Sequence, residues 1–323
     1  MKAQKVVEFL KLYWPKISQF FGFKNFLKDD EAKFRLWTGF KVTFIPFMTL
    51  FVLWIFLWIF LRINLAFYEV NGFPSSVDLS EAYFAYILST LSNLTPFLIG
   101  FALALWIAGL YMAEVLLRPF KLIGDYCEKV TNGEPAIYDP DFFTDLKLLT
   151  RFSEYFFNIL ENASKNKKLL QFDVPVKFTR IHGPVFETNF FLQFFMMTIV
   201  TSMIVAGAIY IIIADIHQDM VKLSIEYLRH SKGVSYFLAQ QQDILNILII
   251  GTLIVHTILY ITLSVNLYSK VAIPAFGIFA TMRSFLKGSL EARVHLIGHP
   301  YIRPHCRKFN KYLDKIVRDL TKT

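Results

Sequence analysis

The sequence lacks the signatures of most enzymes and of exported proteins. It contains no phosphate-binding glycine loop, no G-x-S-x-G elbow and no H-E-x-x-H pair, so we expect no catalysis and no cofactor. No small-residue cleavage site follows an early apolar run, which argues against a removed signal peptide. Cysteine is also scarce, with only Cys127 and Cys306 among 323 residues.

The apolar parts of the chain have few ionisable residues. Only His256 lies deep inside an apolar stretch, while Glu114 and Asp215 lie at the ends of others. Ion and proton transport usually leave such residues within membrane spans, because burying them without a function is costly. We therefore disfavour a small transporter or a lipid-modifying enzyme, and we interpret His256 as a hydrogen-bonded packing residue.

Apolar residues, by contrast, are abundant. The chain is 55% hydrophobic and 17% aromatic, more apolar than an ordinary soluble domain of this length. Four stretches are near or above the ~20 residues that a helix needs to cross hydrocarbon. These stretches are Val42–Leu61, Leu88–Met112, Phe190–Ala214 and Ile244–Leu267. We predict an all-α membrane protein with four transmembrane helices, paired through short outer loops at Arg62–Ile87 and Asp215–Asp243.

Basic residues predict the orientation of these spans. All but four of the 34 Lys and Arg residues lie before the first span, in the central loop or in the tail from Lys270. The four exceptions are Arg62, Lys222, Arg229 and Lys232. We therefore expect both termini and the central loop in the cytoplasm. The formal charge of +9 then indicates contact with membrane lipids, not nucleic acid, and both cysteines lie on the reducing side, where no disulfide is expected.

A motif occurs twice, each time after the second span of a pair. Pro119 precedes Gly133 by the same fourteen residues that separate Pro274 from Gly288. Adding 155 to the first copy also matches apolar residues at helical spacing, pairing Ile123 with Ile278, Cys127 with Met282 and Val130 with Phe285. We predict a duplicated amphipathic helix, near 119–132 and 274–287, with proline in its first turn and glycine just past its end.

A second amphipathic helix follows a connector in both copies. We expect it near 146–163 and 305–320. An offset of 157 pairs four apolar positions of the first copy with four of the second. The pairs are Phe152 with Phe309, Tyr155 with Tyr312, Phe156 with Leu313 and Ile159 with Ile316.

This pattern resembles the HAMP domain of bacterial receptors, in which a helix, a connector and a second helix follow a membrane span. The resemblance depends on Pro119, Ile123, Cys127, Gly133 and Phe152 in the first copy, and on Pro274, Ile278, Met282, Gly288, Phe309 and Asn310 in the second. It implies a parallel four-helix bundle, which relatives complete by dimerisation. Here one chain has both copies, so we expect an intramolecular pseudo-dimer. The acidic residue usual at the start of the second helix would fall near Thr144 and Tyr301; Asp145 lies one residue away in the first copy, and the second copy has none. Ser153 replaces the asparagine in the first copy. The resemblance also implies a bacterial inner membrane.

The duplication divides the chain into six segments. They are an amphipathic N-terminal segment (1–41), transmembrane hairpins (42–117 and 190–268), the HAMP-like copies (118–168 and 269–323) and a linker (169–189). The N-terminal segment either lies on the inner leaflet or packs against the cytoplasmic bundle.

We expect a non-enzymatic signal relay or adaptor. Receptors of this type carry an output domain after the bundle, and none follows the second copy, so the resemblance implies a separate, unidentified protein effector. The alternative is a structural or assembly component of a membrane complex, in which the bundle is a rigid mount. The cluster His295, His299, His305 and Cys306 contains groups that bind zinc, but the first copy has no equivalents and we expect no metal.

Overall fold

The computed structural model describes residues 29–71, 76–139, 146–166, 174–179, 187–227 and 232–321. Within these ranges the chain is helical and contains no strand. The helices are α1 (Asp30–Val70), α2 (Ser76–Asn132), α3 (Lys147–Asn166), the short α4 (Val176–Thr179), α5 (Thr188–Tyr227), α6 (Lys232–Leu286) and α7 (Arg303–Thr321). A 3-10 turn, Pro300–Ile302, precedes α7. Most of the N-terminal segment, residues 1–28, lies outside the described residues.

Four of these helices are long and apolar enough to cross a membrane, as the sequence predicts. They are Asp30–Val70, Asp78–Asn132, Thr188–Glu226 and Tyr236–Leu286. The expectation that a new helix begins at each motif proline is wrong, because Pro119 and Pro274 lie inside α2 and α6. A proline inside a helix removes one backbone hydrogen bond and strains the preceding turn. Both rings are buried, and burial of apolar surface offsets part of that cost.

The connections within the hairpins are shorter than expected. Helix α1 continues to Val70 and α2 begins at Ser76, while α5 continues to Tyr227 and α6 begins at Lys232. The segments that were expected to be loops are therefore mostly helical. Their apolar residues extend the same core as the spans, with Tyr68, Leu79, Met220 and Val234 buried in it. The polar residues between them occupy the exposed faces of helices.

The chain forms two compact units. The first, which we call the span unit, comprises Gly39–Gly109 and Leu192–Asn266. Its core contains buried residues from all four long helices, for example Leu57, Leu105, Ile209 and Ile249. The two hairpins therefore share one apolar core.

Within the span unit, α1 and α2 approach each other closely at a pair of glycines, Gly39 and Gly109. A Cβ atom on Gly109 would lie 2.6 Å from the Cα atom of Gly39. Gly100 and Gly207, which also lie among small residues of the spans, are not positions of close approach, because a Cβ atom on either would meet open space. The sequence shows small residues, but their neighbours depend on how the helices cross.

Two polar contacts join the first and fourth long helices in the span unit. His256 Nδ1 lies 2.8 Å from Thr49 Oγ1, and the Tyr260 hydroxyl donates to the Val42 carbonyl at 2.8 Å. His256 is fully buried. It is therefore a hydrogen-bonded packing residue.

The second unit, which we call the cluster unit, contains the described parts of the chain up to Thr38, of Leu110–Phe191 and of Leu267–Thr323. It includes α3, α4, α7, the first turns of α1 and the C-terminal parts of α2 and α6. Both copies of the repeated motif lie in this unit.

Candidate functional site

The two repeated glycines end their helices in the same way. Gly133 has φ +83° and Gly288 has φ +97°, a left-handed backbone that glycine adopts without a Cβ clash. The Gly133 amide donates to the Val130 carbonyl and the Glu134 amide to the Lys129 carbonyl. The Gly288 and Ser289 amides donate in the same pattern to Phe285 and Ser284. Both ends are Schellman motifs, so the repeat extends to backbone hydrogen bonds.

Burial on α2 and α6 repeats at the spacing of 155 residues. The positions buried in both copies are Met112 and Leu267, Ala113 and Tyr268, Leu116 and Val271, Leu117 and Ala272, Pro119 and Pro274, Phe120 and Ala275, Ile123 and Ile278, Gly124 and Phe279, and Cys127 and Met282. The proline, isoleucine, Cys127 and Met282 landmarks thus lie on the inward faces of both helices, whereas Gly133 and Gly288 are exposed at the helix ends. Val130 is half-buried, whereas its counterpart Phe285 is buried.

For the second helices, burial corrects the offset of 157. Tyr155 and Ile159 are only half-buried, whereas Phe157 and Leu160 are buried. A shift of 156 aligns the buried positions of α3 with those of α7: Leu149 and His305, Thr150 and Cys306, Ser153 and Phe309, Phe156 and Tyr312, Phe157 and Leu313, and Leu160 and Ile316. The second connector is therefore one residue longer than the first, not two.

Aromatic side chains of the two copies meet inside the cluster unit. Ring centroids lie 4.6 Å apart for Phe152 and Phe279, 6.0 Å for Phe156 and Phe309 and 5.6 Å for Phe157 and Tyr312. The Ser153 hydroxyl also lies 3.7 Å from the Met282 sulfur. These separations suit favourable ring pairs. Helices from both copies therefore share one core.

The linker also contributes to this core. Phe178 on α4 is buried, and its ring centroid lies 4.9 Å from that of Phe152 and 6.4 Å from that of Phe279. The sequence predicts only a linker at 169–189. Phe178, an aromatic residue in the segment Val-Lys-Phe-Thr, is the one feature of the linker sequence that indicates this packing.

Asn310 fastens the second connector to α7. Its side-chain oxygen accepts the Val294 amide at 2.9 Å, and its side-chain nitrogen donates to the Val294 carbonyl at 3.1 Å. Arg293 adds an ion pair with Asp314, at 2.6 Å. We call these contacts the connector lock. Because Val294 is buried, losing the asparagine would leave its backbone groups without partners.

Tyr301, in the 3-10 turn before α7, acts as an apolar anchor. Its ring stacks on Phe34 of α1 with centroids 4.3 Å apart. Its hydroxyl donates to the Lys270 carbonyl at 3.0 Å and lies 2.8 Å from His299 Nδ1. Burial raises the pKa of Tyr301 to about 12, so the hydroxyl stays neutral. Residues near the start of α1 thus pack inside the cluster unit, against the segment before α7.

A charged network, missed by the sequence reasoning, surrounds Glu31. The Glu31 carboxylate pairs with Arg35, with Lys121 at 3.1 Å and with His305 at 3.3 Å. Glu114 bridges the same two cations, at 2.8 Å from Arg35 and 2.7 Å from Lys121. The network joins α1, α2 and α7. The sequence feature that indicates part of this network is the Glu31/Arg35 pair, four residues apart on one face of a helix.

The first copy uses a different anchor for its second helix. The Glu187 carboxylate accepts the Leu148 amide at the start of α3, and the Glu187 amide donates to the Tyr268 hydroxyl at 2.9 Å. A side-chain acceptor at a helix start satisfies an amide that has no partner within the helix. The residue that anchors α3 therefore comes from the segment just before α5.

Two of the histidines considered as zinc ligands, His299 and His305, have separate partners. His299 contacts Tyr301, and His305 contacts Glu31. Cys306 is buried, and burial raises the pKa of its thiol to about 12. Among the described residues, no group of three or more His, Cys, Asp and Glu side chains is arranged to hold a metal ion.

Comparison of the chain with protein-family models, with curated proteins and with solved structures gives no match.

Proposed function

We propose that the protein is a non-enzymatic relay or adaptor of a bacterial inner membrane, with both termini in the cytoplasm. In this proposal the cluster unit is a HAMP-like bundle formed by one chain. Its four helices are the C-terminal parts of α2 and α6 together with α3 and α7, and it passes a signal from the membrane or a partner to a separate effector protein.

The observation that carries the proposal is the set of contacts between copies. Phe156 packs on Phe309, Phe157 on Tyr312 and Ser153 on Met282. A two-helix unit exposes one apolar stripe on each helix, and that stripe must be covered. A copy on the same chain covers it at an effective concentration on the order of mM.

Disulfide cross-linking in native membranes tests the pseudo-dimer. The variant carries Ser153→Cys and Met282→Cys, with Cys127→Ala and Cys306→Ala to remove the native thiols. We expect oxidation to give a cross-linked monomer, because the two side chains are in contact within one chain. A control with Glu154→Cys in place of Ser153→Cys should cross-link far less, since Glu154 is exposed. A cross-linked dimer as the main product would exclude the pseudo-dimer.

A rigid mount within a membrane complex is the second candidate. The connector lock and the Tyr301 anchor favour it, because they fix the second connector by hydrogen bonds and ring stacking. The same cysteine pair, measured with and without a candidate stimulus, separates the two functions. A relay changes its cross-linking yield, and a mount does not.

A further inference from the structure

A cavity of about 370 Å³ lies between the second connector and α7. Its lining includes His295 of the connector, and Arg303 and Arg307 one turn apart on α7. Its volume falls within the range of small-molecule sites. The cavity lies wholly within the cluster unit.

In the part of the chain that the structure describes, the basic groups of this cavity have no acidic partner. Within the described ranges, neither Arg303 nor Arg307 forms an ion pair, and the nearby Asp314 is engaged by Arg293. Glu291 of the connector is exposed and is not part of the lining. Two guanidinium groups without acids, facing one cavity, offer several hydrogen-bond donors and positive charge.

The rest of the lining adds no negative charge. Burial keeps the Cys306 thiol protonated, because its pKa rises to about 12. The oxygen of Asn310 already accepts the Val294 amide. An anion in the cavity would therefore meet donors, a neutral thiol and the apolar side chains of Val294, Leu296 and Ile297, but no carboxylate.

We propose that this cavity binds a phosphate-bearing anion, held by Arg303, Arg307 and His295. Arginine suits this ligand because its planar fork donates two parallel hydrogen bonds to phosphate oxygens. The anion would bridge α7 to the connector beside Asn310 and Val294, and would thus strengthen the connector lock. The phosphate could belong to a soluble metabolite or to a lipid headgroup. The proposal does not depend on the relay function.

Binding is measured on the purified full-length chain in a non-ionic detergent by titration calorimetry. One arm uses inorganic pyrophosphate, and the other uses short-chain phosphatidic acid. We expect Arg303→Gln with Arg307→Gln to weaken binding by about tenfold or more, because charge-assisted hydrogen bonds are lost. Lys311→Gln removes an exposed charge from the same helix outside the lining, and should change affinity less than about twofold.

Hydrogen exchange at the Val294 amide provides a second readout. We expect pyrophosphate or phosphatidic acid to slow this exchange in the wild-type chain but not in the double arginine variant. His295→Gln, on the connector side, should weaken binding without altering α7. If only one anion binds, that arm identifies the source of the phosphate.

Binding of neither anion would overturn the proposal, as would equal losses in the double arginine variant and in Lys311→Gln. The cysteine cross-links between the copies are formed without any anion. Their outcome therefore separates failure of this site from failure of the pseudo-dimer.

Discussion

The second helices of the two copies, α3 and α7, have the same buried face but different polar anchors. Their buried positions match at a shift of 156 residues. Yet α7 is fastened by its own connector through Asn310, whereas α3 receives Glu187 from outside its copy. At the position of Asn310 the first copy has Glu154, which is exposed. Core packing therefore matches between the two copies, while each copy has its own polar anchor.

The largest expected effect comes from placing a charge in the shared core. Met282 is fully buried and contacts Ser153 of the other copy. Met282→Asp should destabilise the cluster unit by more than about 4 kcal/mol, because an unpaired carboxylate loses its hydration. Limited proteolysis in membranes should show loss of resistance in α3 and α7 with membrane insertion unchanged. Ser284→Asp, on the exposed face of α6, should leave resistance intact; equal sensitivity of both variants would show that the two copies do not share a core.

A pair of alanine substitutions tests whether the buried positions of α3 and α7 match at a shift of 156 residues. Phe157→Ala should cost about 3–5 kcal/mol, because it opens a cavity between α3 and α7. Tyr155→Ala, at a half-buried position, should cost about 1 kcal/mol. Denaturant titration followed by the near-ultraviolet signal of the rings measures both. The reverse order of the two losses would restore the offset of 157.

Breaking the connector lock in the second copy should reduce stability, whereas the matching substitution in the first copy should not. Asn310→Ala leaves the amide and carbonyl of buried Val294 without partners, at a cost of about 1–3 kcal/mol. The matching change in the first copy, Glu154→Ala, should lie within about 0.5 kcal/mol of wild type. Exchange of the Val294 amide should accelerate in the first variant and stay unchanged in the second. If the two variants were equally stable, the copies would not differ at this position.

Removing Glu187, which anchors α3 from outside its copy, should destabilise the protein less than removing Asn310. Glu187→Ala removes the acceptor for the Leu148 amide and should destabilise α3 by about 1 kcal/mol, the usual cost of losing a helix cap. Glu187→Gln retains an acceptor oxygen and should recover most of that loss. Helicity of α3, followed by amide exchange, measures both. If amide exchange in the first turn of α3 is unchanged in Glu187→Ala, then Glu187 does not anchor α3, and the two copies do not differ in this way.

The apolar positions were the part of this architecture that the sequence could predict. The spacing of Ile123 and Cys127 predicts one buried helix face, and glycine after a helical run predicts its end, because both signals are local. The network around Glu31 was not predictable, since it joins residues from three helices. The one-residue error in the second helix has a similar cause: Tyr155 and Phe157 are both aromatic, and only contact with α7 distinguishes which ring lies inside.

The smallest expected effect comes from the ion pairs that cross between the copies on the surface. Lys308 lies 3.1 Å from Asp125 and 2.8 Å from Glu128, and both acids are more than half exposed. Burial alone would lower the pKa of Lys308, but hydrogen bonds and charge from the two acids raise it above its usual value. A group whose pKa is raised by folding contributes stability below its unfolded pKa, so this contribution is complete at neutral pH and is lost as the pH rises through the folded pKa. Lys308→Met and Asp125→Asn, alone and together, should give a coupling energy of about 0.2–1 kcal/mol, which salt reduces. A larger, salt-independent coupling would show that these charges, and not the aromatic core, hold the two copies together.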